Sequence, residues 1–504
     1  MPLDSSPASR RPLAWALPCG LVLLSLLAGC NLAPRHEVPP MDIPATFKEA
    51  ALWQPADLDA AAVPDAWWTL FADPVLDDLQ AQAAARNQTI AASLAALRGA
   101  QAAVASARAA VLPVVNANAS TTRSVSGGGI SGTVDAAGNP VGSTGGRPRT
   151  VDTLGLSASW EVDLWGRLSN TVAAAAARVE ASAADLAALR LSTHATLAQT
   201  YFALRANEAQ AALLADTLDG YRRQLELTRN RYRVGVASSA DVAQAESQLQ
   251  STEAQRIESD LNRAQLEHAL ALLTGQPPAS LALPRTAVLP AVPPLPEQLP
   301  ATLLQRRPDI AAAERRVAAA NAQIGVARAA FFPALTLSAS AGYRGSEISD
   351  LIALPNRFWS VGPALALSVF DGGLRRAQVE TARAAAEQAT AVYRQTVLTA
   401  LQEVEDALVV GAGLARERVV QAEALAAARK ARTVAENQYR AGIVSYLNVV
   451  SAQAAALAAE RTLLDLQNRQ IAAVNTLLKN IAGRWDRPPL AAAPAGDGAP
   501  VAAR

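Results

Sequence analysis

The sequence predicts a chain of the α plus membrane β class, in which two tandem repeats together supply four short strands and four long helices. Three observations lead there. The chain matches itself in successive blocks about 210 residues apart, four segments alternate apolar with small polar side chains, and long Pro-free helical stretches follow the strands.

Composition narrows the classes first. Of the 504 residues 51% are hydrophobic but only 4% aromatic, so the apolar share is mostly Ala and aliphatic side chains, which favours helix over a β-sandwich. Lys plus Arg number 45 and Asp plus Glu 44, a formal charge of +1. No basic excess marks a nucleic-acid binder. Two Cys and the scattered His36, His194 and His268 lack zinc spacing, and each His reads as an ordinary helix-surface or linker residue. No carboxylate pair, phosphate loop or nucleophile elbow stands out, so an enzyme is not expected. Glu161, Asp163 and Asp371, at strand-to-helix joints, read as helix-start acids.

In chain order, Arg10 and Arg11 precede an apolar run ending in Leu27-Ala28-Gly29-Cys30. Residues 1–29 therefore read as an export signal. Leu-Ala-Gly-Cys resembles the lipobox of bacterial lipoproteins, which implies a covalent lipid on Cys30 and no other cofactor. Asn31, in place of the Asp that retains such proteins at the inner membrane, points to the outer membrane. Residues 30–64, with Pro34, Pro39, Pro40, Pro44 and Pro55, read as an extended linker. No later run of about 18 to 20 apolar residues is expected to cross a bilayer as a helix.

Repeat 1 is expected over residues 65–275 and repeat 2 over 297–483. Arg108-Ala109-Ala110-Val111-Leu112-Pro113 matches Arg328-Ala329-Ala330-Phe331-Phe332-Pro333, and Tyr232-Arg233-Val234-Gly235 matches Tyr439-Arg440-Ala441-Gly442. Each repeat opens with a helical stretch, near 74–112 and 297–332, which Pro113 or Pro333 stops. Period-2 strands follow. Val115, Ala117 and Ala119 mark the first; Leu154, Leu156, Ala158, Trp160 and Val162 the second. Leu335, Leu337, Ala339, Ala341 and Tyr343 mark the third, and Val361, Pro363, Leu365, Leu367 and Val369 the fourth. Helices then run to about Tyr232 and Tyr439. Leu214, Leu218, Tyr221, Leu225, Thr228 and Tyr232 fall at coiled-coil spacings, as do Val397, Leu401, Val404 and Leu408. The chain turns back at Gly235 and Gly442, where Gly then Ser are C-cap and N-cap signals for second helices ending at Gly275 and Gly483. The Pro-rich joint 276–296 and the Pro- and Ala-rich tail 484–504 read as an equatorial linker and a flexible end.

Strands of about 9 to 11 residues with an apolar and a small polar face suit a membrane barrel. The alternative is an ordinary sheet buried against helix. A barrel must close, and the smallest known closures use about eight strands, so one chain with four cannot close alone.

The motifs now carry a resemblance. Trp67-Trp68-Thr69-Leu70-Phe71-Ala72-Asp73-Pro74, Arg306-Arg307-Pro308-Asp309-Ile310 and Ile324-Gly325-Val326-Ala327-Arg328-Ala329 resemble the TolC-type outer-membrane efflux proteins, in their lipoprotein NodT/OprM-like branch. The resemblance implies a homotrimer whose twelve-stranded outer-membrane β-barrel continues as a long periplasmic α-helical barrel. It implies a conduit for small toxic compounds or drugs, working with a periplasmic adaptor (membrane fusion protein) and an RND-type inner-membrane transporter. Alternatives are the conduit of a type I protein secretion system and a periplasmic coiled-coil scaffold. By the same resemblance Gly235, Val236, Ser238, Gly442, Ile443 and Ser445 are tips that meet the adaptor. The family lines its closed aperture with acids just after the second turn. This sequence has Asn448 and Ser451 there and Asp241 at the first turn, which removes the basis for a strong acidic ring; Tyr439 and Arg440 are further aperture candidates.

Overall fold

The computed structural model of the chain describes residues 31–41, 48, 66–125, 148–293 and 307–482. The export signal, Cys30, Arg306, Gly483 and the tail lie outside the described residues.

The helices are α1 (Pro74–Arg86), α2 (Gln88–Ala109), α3 (Arg167–Arg233), α4 (Ser239–Leu273), α5 (Pro308–Ala329), α6 (Leu374–Arg440) and α7 (Tyr446–Ala482). The strands are β1 (Val114–Ser124), β2 (Arg149–Val162), β3 (Ala334–Gly345) and β4 (Arg357–Ala366). The compact units do not follow the repeats. One gathers Met1–Glu37, Ala100–Val179 and Arg316–Ala389; the other gathers Val38–Gly99, Glu180–Arg315 and Thr390–Arg504. Each takes segments from both repeats, because the strands of both repeats share one sheet and their helices share one core.

In the first unit the sheet order is β1-β2-β3-β4, antiparallel throughout. Leu156 faces Ala117 on one side and Ala341 on the other, and Ala341 faces Trp359. The four alternating patterns therefore meet on one face. Leu367 and Val369, expected in the last strand, lie beyond β4, where the chain turns toward α6. The matched Pro turns are built alike: Trp160 donates its indole N–H to the Val111 carbonyl and Trp165 donates to the Pro333 carbonyl, each at 2.8 Å. Asp163 and Asp371 accept the first backbone N–H groups of α3 and α6, which is the helix-start role read from the sequence.

The N-terminal segment is seated in this same unit. Arg328 donates to the Leu32 carbonyl at 3.3 Å, and the Gly325 position is so close to Ala33 that a Cβ there would lie 2.7 Å from the Ala33 Cβ. That close approach is the reason for Gly in the Ile324-Gly325-Val326 motif.

The second unit holds the core of the long helices. α3 and α6 have 67 residues each, about 100 Å of helix at 1.5 Å per residue. Leu214, Leu218, Tyr221, Leu225 and Thr228 are buried as the heptad requires, whereas Tyr232 is exposed because the helix ends one residue later. Residues 74–112 are not one helix. Asn87 leaves helical geometry, its carboxamide oxygen accepts from the Thr89 and Ile90 N–H groups to start α2, and its carboxamide Nδ2 donates to the Leu273 carbonyl at the end of α4. The stretch Pro74–Ala109 is, against expectation, long and apolar enough to cross a membrane by length and composition. Its apolarity is largely alanine, it is broken at Asn87, and Leu76, Leu79 and Ala83 of its first helix are buried in the core.

Arg307 explains the Arg-Pro-Asp motif. Buried at the start of α5, it forks onto Asp309 and reaches Glu403 of α6 at 2.9 Å and Asn480 of α7 at 3.2 Å. Burial raises the Asp309 carboxyl, but the hydrogen bonds and charge of Arg307 outweigh that and hold it below its ordinary value.

His194 departs from the helix-surface reading. Trp68 stacks on its ring at 4.5 Å and its Nδ1 lies 2.5 Å from Oε1 of Gln80. Burial, helped by Arg190, pushes its pKa from 6.5 down to about 4. The unfolded chain therefore takes up a proton in a range where the folded chain does not, so this contribution to stability is complete above pH 6.5 and is lost as the pH falls from 6.5 to 4. The loss amounts to ~3 kcal/mol from this group. Thermal unfolding followed across that window is expected to show a steeper fall for the wild type than for His194→Gln, which has no proton to take up; parallel curves would refute the assignment.

Candidate channel-forming sheet and helical tips

The sheet presents both faces outward. Leu156 is 57% exposed, Trp359 73% and Leu365 68%, although they share the apolar face. The one buried residue in the four strands is Asp152. An ordinary sheet packed on helices would bury those side chains, whereas among the described residues no helix covers them. The opposite face is small and polar. Ser340 and Ser360 hydroxyls meet at 2.8 Å, and Ser157 donates to Asn118 at 3.3 Å. Gly155 and Gly342 sit side by side on it with the Phe358 ring close above, a packing that covers paired glycines with an aromatic. Both outer strands, β1 and β4, are paired on one side only among the described residues.

The tips belong to the second unit and are built twice in the same way. Gly235 and Gly442 take φ of 76° and 78°. At each, the N–H after the Gly returns to a carbonyl five residues back, Val236 to Arg231 and Ile443 to Gln438, at 2.8 and 2.9 Å. This double closure needs the left-handed conformation that Gly adopts at no cost. Ser238 and Asp241 then form a reciprocal capping box at the start of α4. Val236 and Ile443 stay exposed at 63% and 72%. Beneath them Leu225, Ala245, Tyr439, Tyr446 and Val449 make a small core. Burial pushes the Tyr446 phenol up to about 12, so it stays neutral. Arg231 lies 4.6 Å over the Tyr439 ring and donates to the Tyr439 carbonyl at 3.1 Å, tying the two tips together.

The aperture candidates are thereby sorted. Asn448, Ser451 and Arg440 are exposed on the helices beside the second turn, whereas Tyr439 points into the core and Asp241 is engaged in its cap. Arg231, which no sequence pattern had singled out, is the residue that joins the tips.

The comparisons with known proteins agree with this geometry. The family model described as outer membrane efflux protein matches residues 79–276 and 299–483. The chain belongs to the outer membrane efflux protein family. This family member is 30% identical over 91% of its length to 94% of the toluene efflux pump outer membrane protein TtgC of Pseudomonas putida. It is 32% identical over 92% of its length to 97% of the pyoverdine export outer membrane protein OpmQ of Pseudomonas aeruginosa. Among solved structures, the outer-membrane channel OprN superposes with a TM-score of 0.82 at 30% identity, covering 90% of this chain and all of that one. The Campylobacter jejuni CmeC channel, at 23% identity and a TM-score of 0.83, shares the fold, covering 91% of this chain and 96% of its own. This efflux protein is thus an outer-membrane channel component of an efflux system that extends into the periplasm.

Proposed function

We propose that three copies of the chain close one twelve-stranded barrel and continue it as a helical conduit through which small toxic compounds leave the periplasm unchanged. The observation that carries this reading is the four-stranded sheet with an exposed apolar face and two open edges. Lipid offers no partner to an open edge, and three sheets of four strands exceed the closure at which a barrel interior is filled by side chains. The exposed apolar tips around Val236 and Ile443 meet a periplasmic adaptor, and an RND-type transporter in the inner membrane supplies the energy. The lipid on Cys30 anchors the chain beside the barrel.

Native mass spectrometry of the detergent-extracted protein tests the proposal. Three chains, each carrying the mass of the Cys30 lipid, are expected; a lipid-free monomer without a detergent belt would overturn both the trimer and the anchor.

A further inference from the structure

The tips carry a basic excess of which only part is used in folding: Arg231 joins the two turns, and Arg222, Arg229 and Arg429 are in ion pairs. Residues 222–250 and 429–457, the last and first turns around the two Gly, hold nine basic and four acidic side chains, a net +5 in a chain whose total is +1. Helix dipoles do not account for it. Two C-terminal and two N-terminal helix ends meet there, and their charges of about −0.5 and +0.5 each cancel. Dipole stabilisation also fades within one turn, whereas Arg223, Arg429, Lys430 and Arg432 stand two or more turns from the helix ends. Residues 446–457 contain no charge at all.

Part of this charge gathers in one groove of about 630 Å³ between α3, α6 and α7. Arg223, Arg432 and Arg440 line it, and none of the three makes an ion pair among the described residues. Three acids stand beside them: Glu460 is already held by Arg429 at 2.7 Å, Glu436 accepts from Gln453 at 3.1 Å, and Asp216 lines the groove ahead of Arg223 on α3, so four arginines face three carboxylates. Arg432 and Arg440 stand about 12 Å apart along α6, so at physiological salt, where the screening length is about 8 Å, each acts on a solute that comes close to the groove, and at low salt their fields add.

We infer that Arg223, Arg432 and Arg440 make the helical-tip end of the conduit an anion-attracting entrance, so that the channel admits anionic solutes in preference to cations. The inference rests on the trimeric conduit proposed above, in which the cationic groove is present three times. Fixed charge at a pore mouth concentrates counter-ions there and biases permeation toward them.

Reversal potentials of the purified trimer in planar bilayers under a KCl gradient test it. Chloride is expected to permeate better than potassium, and the combined variant Arg223→Gln, Arg432→Gln, Arg440→Gln is expected to lower the chloride-to-potassium ratio at least about twofold, an electrostatic effect that high salt screens. The variant trimer is checked by native mass spectrometry first, so that a folding failure is not read as a change of selectivity. A wild-type channel that prefers potassium overturns the inference and leaves the conduit standing. An unchanged ratio in a variant that no longer binds its adaptor also overturns it, and assigns the arginines to docking. Protein that forms no trimer overturns the conduit reading itself.

Discussion

Leu156→Arg is expected to abolish assembly of the protein in the outer membrane, while Ser340→Arg in the neighbouring strand leaves assembly intact. Leu156 is paired in mid-sheet with Ala117 and Ala341, on the apolar face; Ser340 is paired with Ser157 and Ser360 on the polar one. An Arg on the lipid face near the bilayer midplane costs about 2–4 kcal/mol, and a closed assembly of three copies meets that cost three times. On the opposite face the guanidinium reaches the water of the lumen. Heat-resistant trimers in outer-membrane fractions report the difference. Equal behaviour of the two variants would mean that the alternation does not separate lipid from lumen.

The second large effect is expected at Glu208→Ala. Arg205 and Glu208 on α3 are nearly fully buried and joined at 2.7 Å, and Arg263 of α4 bonds the other oxygen of Glu208 at 2.9 Å. The two arginines also clamp the linker that follows α4: Arg205 donates to the Pro284 carbonyl, Arg263 to the Leu283 carbonyl, and Glu208 accepts from the Thr286 N–H. Removing the carboxylate leaves the buried Arg205 without an ion-pair partner, whereas Arg263 keeps Glu267 at 2.9 Å, and breaking such a buried pair costs about 3–5 kcal/mol. Hydrogen exchange at Leu283 and Thr286 should then accelerate about a hundredfold or more, one decade per ~1.4 kcal/mol. Replacing the pair together, as Arg205→Met with Glu208→Leu, is expected to recover part of the loss, because the unpaired charge rather than the missing contact dominates. A single variant with wild-type exchange would show that water reaches the cluster.

Legibility of the candidate site in the sequence differs from residue to residue for a physical reason. Gly235 and Gly442 are readable because a left-handed turn between two helices leaves few alternatives to Gly, and Ser238 with Asp241 because a cap is a local motif. Arg231 was not readable: its partner, Tyr439, lies 208 residues away, and one Arg among many at a helix end carries no local signal. His194 failed for the same reason, since Trp68 covers it from a distant segment.

What the sequence determined by itself is everything set by period and by local backbone chemistry. The long helices, the strand faces, the Gly turns and the Asp helix starts follow from 3.6- and 2-residue repeats and from caps that need no distant partner. The tertiary structure alone decided the rest. It placed the strands of two repeats in one sheet, divided the chain into units that cut across those repeats, broke the first helix at Asn87, and left the apolar face of the sheet uncovered. Each of these depends on which segments meet after the chain has folded, and periodicity records the face a residue presents but not what it will be presented to.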